Sequence, residues 1–285
     1  MDEVIIISGP TAAGKTAKAL ELARETGAEI ISCDSVQVYK HMDIGSAKAS
    51  LAERAEIPHH LIDVCEPSRQ FSVGEYVELS KITLEKIRKS KRRAIVAGGS
   101  GFYLKAWFAP VCDEMEIPKS VKDECGLLAK SGGADALKEK LLSLDPNAAQ
   151  FIDIQNPRRI RPALERVLAS SKTLKELREK FESLPCPMGD FPKKYINIDL
   201  PDPEIFARAK ARAIKMVENG LVEETKHLLE LGIEKNPSAC NAIGYRETIS
   251  AIQKNDFSAL ADGIFLSTKH LIKKQRKFLK TQISF

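Results

Sequence analysis

Gly9-Pro10-Thr11-Ala12-Ala13-Gly14-Lys15-Thr16 follows the apolar run Val4-Ile5-Ile6-Ile7 and precedes a helical pattern carried by Leu20, Leu22 and Ala23. Residue types at this spacing suit the binding of a phosphorylated anion. Glycines let the backbone curl closely around an anion, and N–H groups at a helix N-terminus point at its oxygens. Lys15 adds a point charge, and Thr16 offers a hydroxyl to Mg²⁺. The pattern does not choose between a nucleoside triphosphate and another diphosphate.

Three further features could act on the same anion. Ala28-Glu29-Ile30-Ile31-Ser32-Cys33 is a β-rich run that ends in Asp34-Ser35, and in open α/β sheets the strand C-termini face the ligand crevice. Asp34 is therefore either a ligand-facing carboxylate or a cap on the next turn. Ala94-Ile95-Val96-Ala97 runs into Gly98-Gly99-Ser100-Gly101 where a Walker-B aspartate would be expected. That loop reads as a second cluster of N–H donors or as a simple tight turn. Arg208 and Arg212 lie four apart on a helical pattern, a spacing that suits either a diphosphate clamp or a surface ion-pair ladder.

The elements that position these groups predict an α/β fold: a P-loop NTPase-like parallel sheet flanked by helices, with a helical insertion domain. Pro58-His59-His60-Leu61-Ile62-Asp63-Val64 reads as the start of a strand, whose paired histidines would point to opposite faces and make structural hydrogen bonds rather than chelate one metal. A helix is expected over 72–89. After Trp107 the strand rhythm stops until Tyr195-Ile196-Asn197-Ile198-Asp199. Between them, helices are expected over 120–130, 134–144, 157–168 and 174–181. Residues 1–111 and 191–285 are thus the expected core with its C-terminal helices, and 112–190 the insertion.

The chain has 285 residues, 43% of them hydrophobic, enough for an α/β core and a smaller unit. Its net charge of +5 is mild, but the distribution is uneven. Residues 157–180 carry eight Lys or Arg against three Asp or Glu, and 269–280 carry six basic residues and no acid. Such stretches are either solvated helix faces or RNA contacts. The six cysteines form no C-x-x-C pair and read as buried, reduced thiols. Met1-Asp2-Glu3 is acidic where a signal peptide would be basic, and no apolar run approaches a membrane span. A soluble, cytoplasmic protein is expected.

The ordered motifs resemble the tRNA dimethylallyltransferase, or tRNA isopentenyltransferase, family. They are GPTAAGKT at 9–16, DSVQVYKHMDIGSAK at 34–48, PHHLID at 58–63 and GGSGFYLKA at 98–106, then Arg208 with Arg212, GLVEE at 220–224, AIGYRE at 242–247 and TKHLIKKQ at 268–275. The resemblance implies transfer of a dimethylallyl group from dimethylallyl diphosphate to N6 of the adenine immediately 3′ of the anticodon. Carried over, Asp34 would be the base, and Lys15, Ser100 and Arg212 would act on the diphosphate. The binding set would comprise Gly9, Pro10, Thr11, Ala12, Ala13, Gly14, Lys15, Thr16, Ser100, Arg208 and Arg212, with Thr16 meeting Mg²⁺. Asp34, Ser35 and Gln37, together with Arg158, Arg159, Arg161, Lys273, Lys274 and Gln275, would contact a tRNA anticodon stem-loop. A monomer that engages no membrane is implied.

The chain departs from the family's usual pattern at Ser100, where threonine is common, and at Ala13, where serine is. Pro162 stands in place of an arginine beside Arg161, and Phe278 in place of a tryptophan. Two other readings compete: a small P-loop kinase, and an RNA-binding module whose P-loop only senses nucleotide. A P-loop without a Walker-B aspartate favours a site where diphosphate leaves, and the adenine must leave its stack to reach that site.

Overall fold

The computed structural model describes residues 3–113, 115–189 and 191–283; Met1 and Asp2, at the acidic start of the chain, lie outside them. Two compact units form, Met1–Val111 with Cys186–Phe285, and Cys112–Pro185.

In the first unit, β1 (Val4–Ser8), β2 (Glu29–Cys33), β3 (His59–His60), β4 (Ala94–Gly98) and β5 (Lys193–Asn197) form one parallel sheet in the order β3-β2-β4-β1-β5. The central strands β1, β2 and β4 read as near-continuous apolar runs because both faces are covered, whereas the edge strand β5, KKYIN, has no fully buried residue. On one face α1 (Lys15–Thr26) packs Ala19, Leu20 and Ala23 onto Ile7, Ile30 and Ile95. The other face carries α3 (Val73–Lys89), whose Tyr76, Val77, Leu84 and Ile87 meet Ile6, Ile31 and Val96. Ser72 and Glu75 form a capping box that starts α3.

The expected strand over 58–64 shrinks to two residues, because Leu61 and Asp63 take left-handed backbone at φ 60° and 58°. Asp63 instead pairs with the buried Lys48 at 2.6 Å and with Arg54 at 2.5 Å. His60 bonds Glu29 through Nε2 at 2.6 Å, and His59 bonds the Ile57 carbonyl through Nδ1 at 2.7 Å. The last strand begins earlier and ends at Asn197, so Asp199 falls beyond it.

The sheet is completed by α2 (Leu51–Glu56), α4 (Gly101–Lys105) and a helical C-terminal part: α8 (Asp202–Glu218), α9 (Leu221–Glu230), α10 (Pro237–Cys240), α11 (Tyr245–Lys254) and α12 (Leu260–Gln282). The second unit consists of α5 (Lys119–Leu144), α6 (Pro157–Ser170) and α7 (Leu174–Glu182), around Leu137, Leu141, Leu164, Val167 and Leu177. The two helices expected over 120–144 are one run broken at Gly133, whose φ of 66° and ψ of −150° no helix accommodates.

No disulfide forms among the described residues. The expectation that all six cysteines are buried fails at Cys112, which is exposed, and at Cys186 and Cys240, which are half-buried.

Candidate active site

β1 ends at Ser8, and the chain turns sharply at Gly9, where a Cβ would stand 2.0 Å from the Ile198 carbonyl oxygen. Ala12 and Gly14 then take left-handed backbone at φ 66° and 99°, the curl that gathers N–H groups into an anion-binding nest. Lys15 opens α1 and donates from Nζ to the Pro10 carbonyl at 2.8 Å. Burial pushes its pKa down to about 8; Asp34 counters this, and Arg212 adds to it.

Arg212 reaches the same place from α8. Its guanidinium donates to the Thr11 hydroxyl and to the Ser46 carbonyl, both at 3.4 Å. Burial holds its pKa below the ordinary arginine range, opposed chiefly by Asp34. Two half-buried cations set side by side are costly unless an anion joins them.

Asp34 follows the last residue of β2. Its Oδ1 accepts from the N–H groups of Val36 at 2.8 Å and Gln37 at 3.3 Å, so the capping role is realised. Asp34 also lines the cavity with Lys15 and Arg212, so capping the turn does not withdraw it from the crevice. The GGSG loop ties in from β4. Ser100 Oγ accepts from the Ser35 N–H at 2.8 Å and donates to its hydroxyl at 3.1 Å. A Cβ at Gly98 would lie 2.0 Å from the Cys33 carbonyl oxygen, so no aspartate can stand at the end of β4.

These groups surround a cavity of about 700 Å³. Its polar end holds Thr11, Lys15, Thr16, Asp34, Ser100 and Arg212, and its other walls are largely apolar, among them Val36, Phe71, Tyr103, Ala213, Met216 and Leu271. Lys274 and Gln275 of α12 also line it. Three cationic side chains thus face one carboxylate there, a balance that favours a compact polyanion with an apolar tail.

Other expected residues sit differently. Arg208 points along the outside of α8 to Glu204 at 2.8 Å; it passes within 3.6 Å of a Cβ built on Gly14 but does not line the cavity. Gln37 lines the cavity, yet its amide is engaged by the protein: Oε1 accepts from Ser32 Oγ at 3.0 Å, and Nε2 donates to the Ser46 and Ala47 carbonyls at 3.4 Å. Arg158 and Arg159 are exposed on α6, whereas Arg161 is paired with Glu165 at 2.8 Å. Lys273 is exposed. Gln275 bonds Thr11 and Gly99. Arg276, counted in the basic stretch, is bound by Asp199 at 2.9 Å and by Asp202, and so leaves the free basic face.

Glu224 and Tyr245 fall in the GLVEE and AIGYRE motifs, yet neither residue type by itself signals a role at the site. The Glu224 carboxylate accepts three N–H groups of the loop 43–45 and the Tyr245 hydroxyl, fixing the chain that brings Ser46 and Ala47 to the cavity.

Comparison with known proteins gives a consistent picture. A family model described as IPP transferase matches residues 37–282. A tRNA dimethylallyltransferase of Opitutus terrae is 42% identical over 98% of this chain and 90% of its own. One from Acetivibrio thermocellus is 36% identical over 89% and 80%. Among solved structures, a tRNA isopentenylpyrophosphate transferase of Staphylococcus epidermidis superposes with a TM-score of 0.68 at 30% identity, covering 100% of this chain and 92% of that one. A eukaryotic dimethylallyltransferase captured acting on tRNA gives 0.81 at 26% identity, over 98% and 70%.

Proposed function

The chain belongs to the tRNA dimethylallyltransferase family, and on that premise we propose that it moves the dimethylallyl group of dimethylallyl diphosphate to N6 of the adenine immediately 3′ of the anticodon, releasing diphosphate. The observation that carries this reading is the convergence of half-buried Lys15 and Arg212 with Asp34 in a cavity whose other walls are largely apolar.

The diphosphate lies in the P-loop nest, where Lys15, Arg212 and the loop N–H groups stabilise the negative charge that grows as the allylic C–O bond breaks. The prenyl tail lies along the apolar wall. As N6 bonds the allylic carbon it must lose a proton, and in this reading Asp34 accepts it. Both turn-forming bonds fall on Oδ1, so Oδ2 serves the amine. Ser100 and Ser35, linked to each other and both lining the cavity, border the adenine in this reading.

Mg²⁺ is the cofactor this reading implies. Among the described residues no three His, Cys, Asp or Glu side chains converge to cage a metal, whereas the Thr16 hydroxyl lines the cavity beside Lys15. Thr16 would be the protein group that holds the ion, and the ion would supply further positive charge against the leaving group.

The exposed Arg158 and Arg159, with Lys273 and Lys274, are assigned to the phosphates of the anticodon stem-loop. The protein acts as a cytoplasmic monomer in this reading; no helix among the described residues is long and apolar enough to cross a membrane. Family membership sets aside the kinase and the non-enzymatic RNA-binding module. Mass spectrometry of an anticodon stem-loop RNA incubated with protein, Mg²⁺ and dimethylallyl diphosphate tests the reading. A mass gain of one dimethylallyl group on the adenine is expected, and unmodified RNA would overturn it.

A further inference from the structure

Gln275 projects from α12 toward the junction of the two glycine-rich loops. Its Oε1 accepts from the Thr11 N–H at 2.9 Å, and its Nε2 donates to the Gly99 carbonyl at 3.0 Å. Those loops leave neighbouring parallel strands, β1 and β4, paired through Ile7 and Ala97. The fit is close: a Cβ on Gly99 would lie 2.9 Å from Gln275 Nε2, 2.9 Å from the Gly9 carbonyl oxygen and 3.4 Å from Lys15 Nζ. One amide side chain thus satisfies a donor on the P-loop and an acceptor on the second loop, beside the lysine that faces the anion.

We propose that Gln275 is a positioning residue for the diphosphate, a strut that sets the spacing of the two anion-binding loops rather than an RNA contact. An amide suits this place because it is neutral and offers one acceptor and two donors in a single plane. A carboxylate could accept from Thr11 but not donate to Gly99, and it would set a negative charge against the diphosphate. Alanine would leave a part-buried loop N–H and carbonyl without this partner. Misplacement of loop groups by even a fraction of an ångström weakens anion binding and lowers the rate, because the site works by orientation. The inference rests on the diphosphate placement proposed above.

The test uses Gln275→Met, which fills similar space without either hydrogen bond, and Gln275→Glu. Inorganic diphosphate binding is measured by calorimetry with Mg²⁺ and anticodon stem-loop binding by anisotropy. The expected result is about 5- to 30-fold weaker diphosphate binding in Gln275→Met and a larger loss in Gln275→Glu, with Gln275→Met binding RNA within about twofold of the parent. In kinetics KM for dimethylallyl diphosphate rises while KM for RNA holds. A Gln275→Met protein that binds diphosphate like the parent, or that loses RNA instead, overturns the proposal. A parent protein that binds diphosphate yet leaves RNA unmodified would sink the reaction assigned above and leave this test decisive.

Discussion

The Tyr245 hydroxyl donates to the Glu224 carboxylate at 2.8 Å, and the same carboxylate receives the N–H groups of Asp43, Ile44 and Gly45 at 3.0, 2.8 and 3.2 Å. Gly45 has no room for a side chain, since a Cβ there would stand 2.5 Å from the Tyr245 ring. Two motifs far along the chain therefore clamp a loop whose next residues hold Gln37 and Arg212 through their carbonyls.

Breaking this clamp should affect both stability and catalysis. Glu224→Ala strips a charged acceptor from three loop N–H groups, at a cost of about 2 to 3 kcal/mol. With the Ser46 carbonyl released, kcat/KM should fall at least about tenfold. Tyr245→Phe removes one bond and should cost about 1 kcal/mol. Chemical denaturation and steady-state kinetics measure these; an unchanged kcat/KM in Glu224→Ala would show that the loop holds without its clamp.

What the sequence made legible was local. The P-loop is contiguous, and Asp34 could be placed because a strand C-terminus faces the crevice. Glu224 was silent because three of its four partners lie about 180 residues away and are backbone N–H groups, which leave no pattern of residue types. Arg276 misled for a related reason: its acids, Asp199 and Asp202, lie 77 and 74 residues earlier, the one between β5 and α8 and the other the first residue of α8. Arg208 and Arg212 share a helical face by spacing, yet one turn of α8 is enough to place Arg212 in the cavity and Arg208 outside it.

Lys15 makes diphosphate binding depend on pH. Its pKa is lowered from 10.5 to about 8 by burial, so between these values the unfolded chain binds a proton that the folded one has lost. Stability contributed by this group therefore rises with pH across that window and is least below about 8, where the buried ammonium is charged. Diphosphate prefers the charged form, so binding should draw a proton onto Lys15 at pH 8.5, and affinity should decline as pH rises above 8. Calorimetry in buffers of different ionisation enthalpy reads the uptake. Lys15→Ala should abolish it and lower turnover by about 10² or more; proton-neutral binding by the parent would refute the assignment.

The basic C-terminal helix separates into two kinds of cation. Lys273 and Lys274 are exposed, so removing both should flatten the slope of log affinity for tRNA against log salt by about 1 to 2 units. Arg276 is held by Asp199 and Asp202, so Arg276→Ala should lower the melting temperature and leave that slope unchanged. An unaltered slope in the double lysine variant would make this helix a solvated face only.

Asp34 carries two functions on one carboxylate, and two substitutions separate them. The N6 amine is a poor nucleophile because its lone pair is delocalised into the adenine ring, so attack needs a group that takes the proton as the new bond forms. The Val36 and Gln37 N–H groups occupy Oδ1 only. Asp34→Asn keeps an oxygen for that turn but replaces the basic oxygen with an amide. It should retain its melting temperature within a few degrees and both substrate affinities, and lose roughly 10² to 10⁴ in single-turnover rate. Asp34→Ala removes the turn acceptor as well, and should add a stability loss of about 1 kcal/mol. Lys15 gives an independent check, since Asp34 holds its pKa up against burial, and in both variants it should fall below about 8. Should Asp34→Asn transfer the prenyl group at the parent rate while Asp34→Ala merely melts earlier, Asp34 is a cap and the proton leaves by another route.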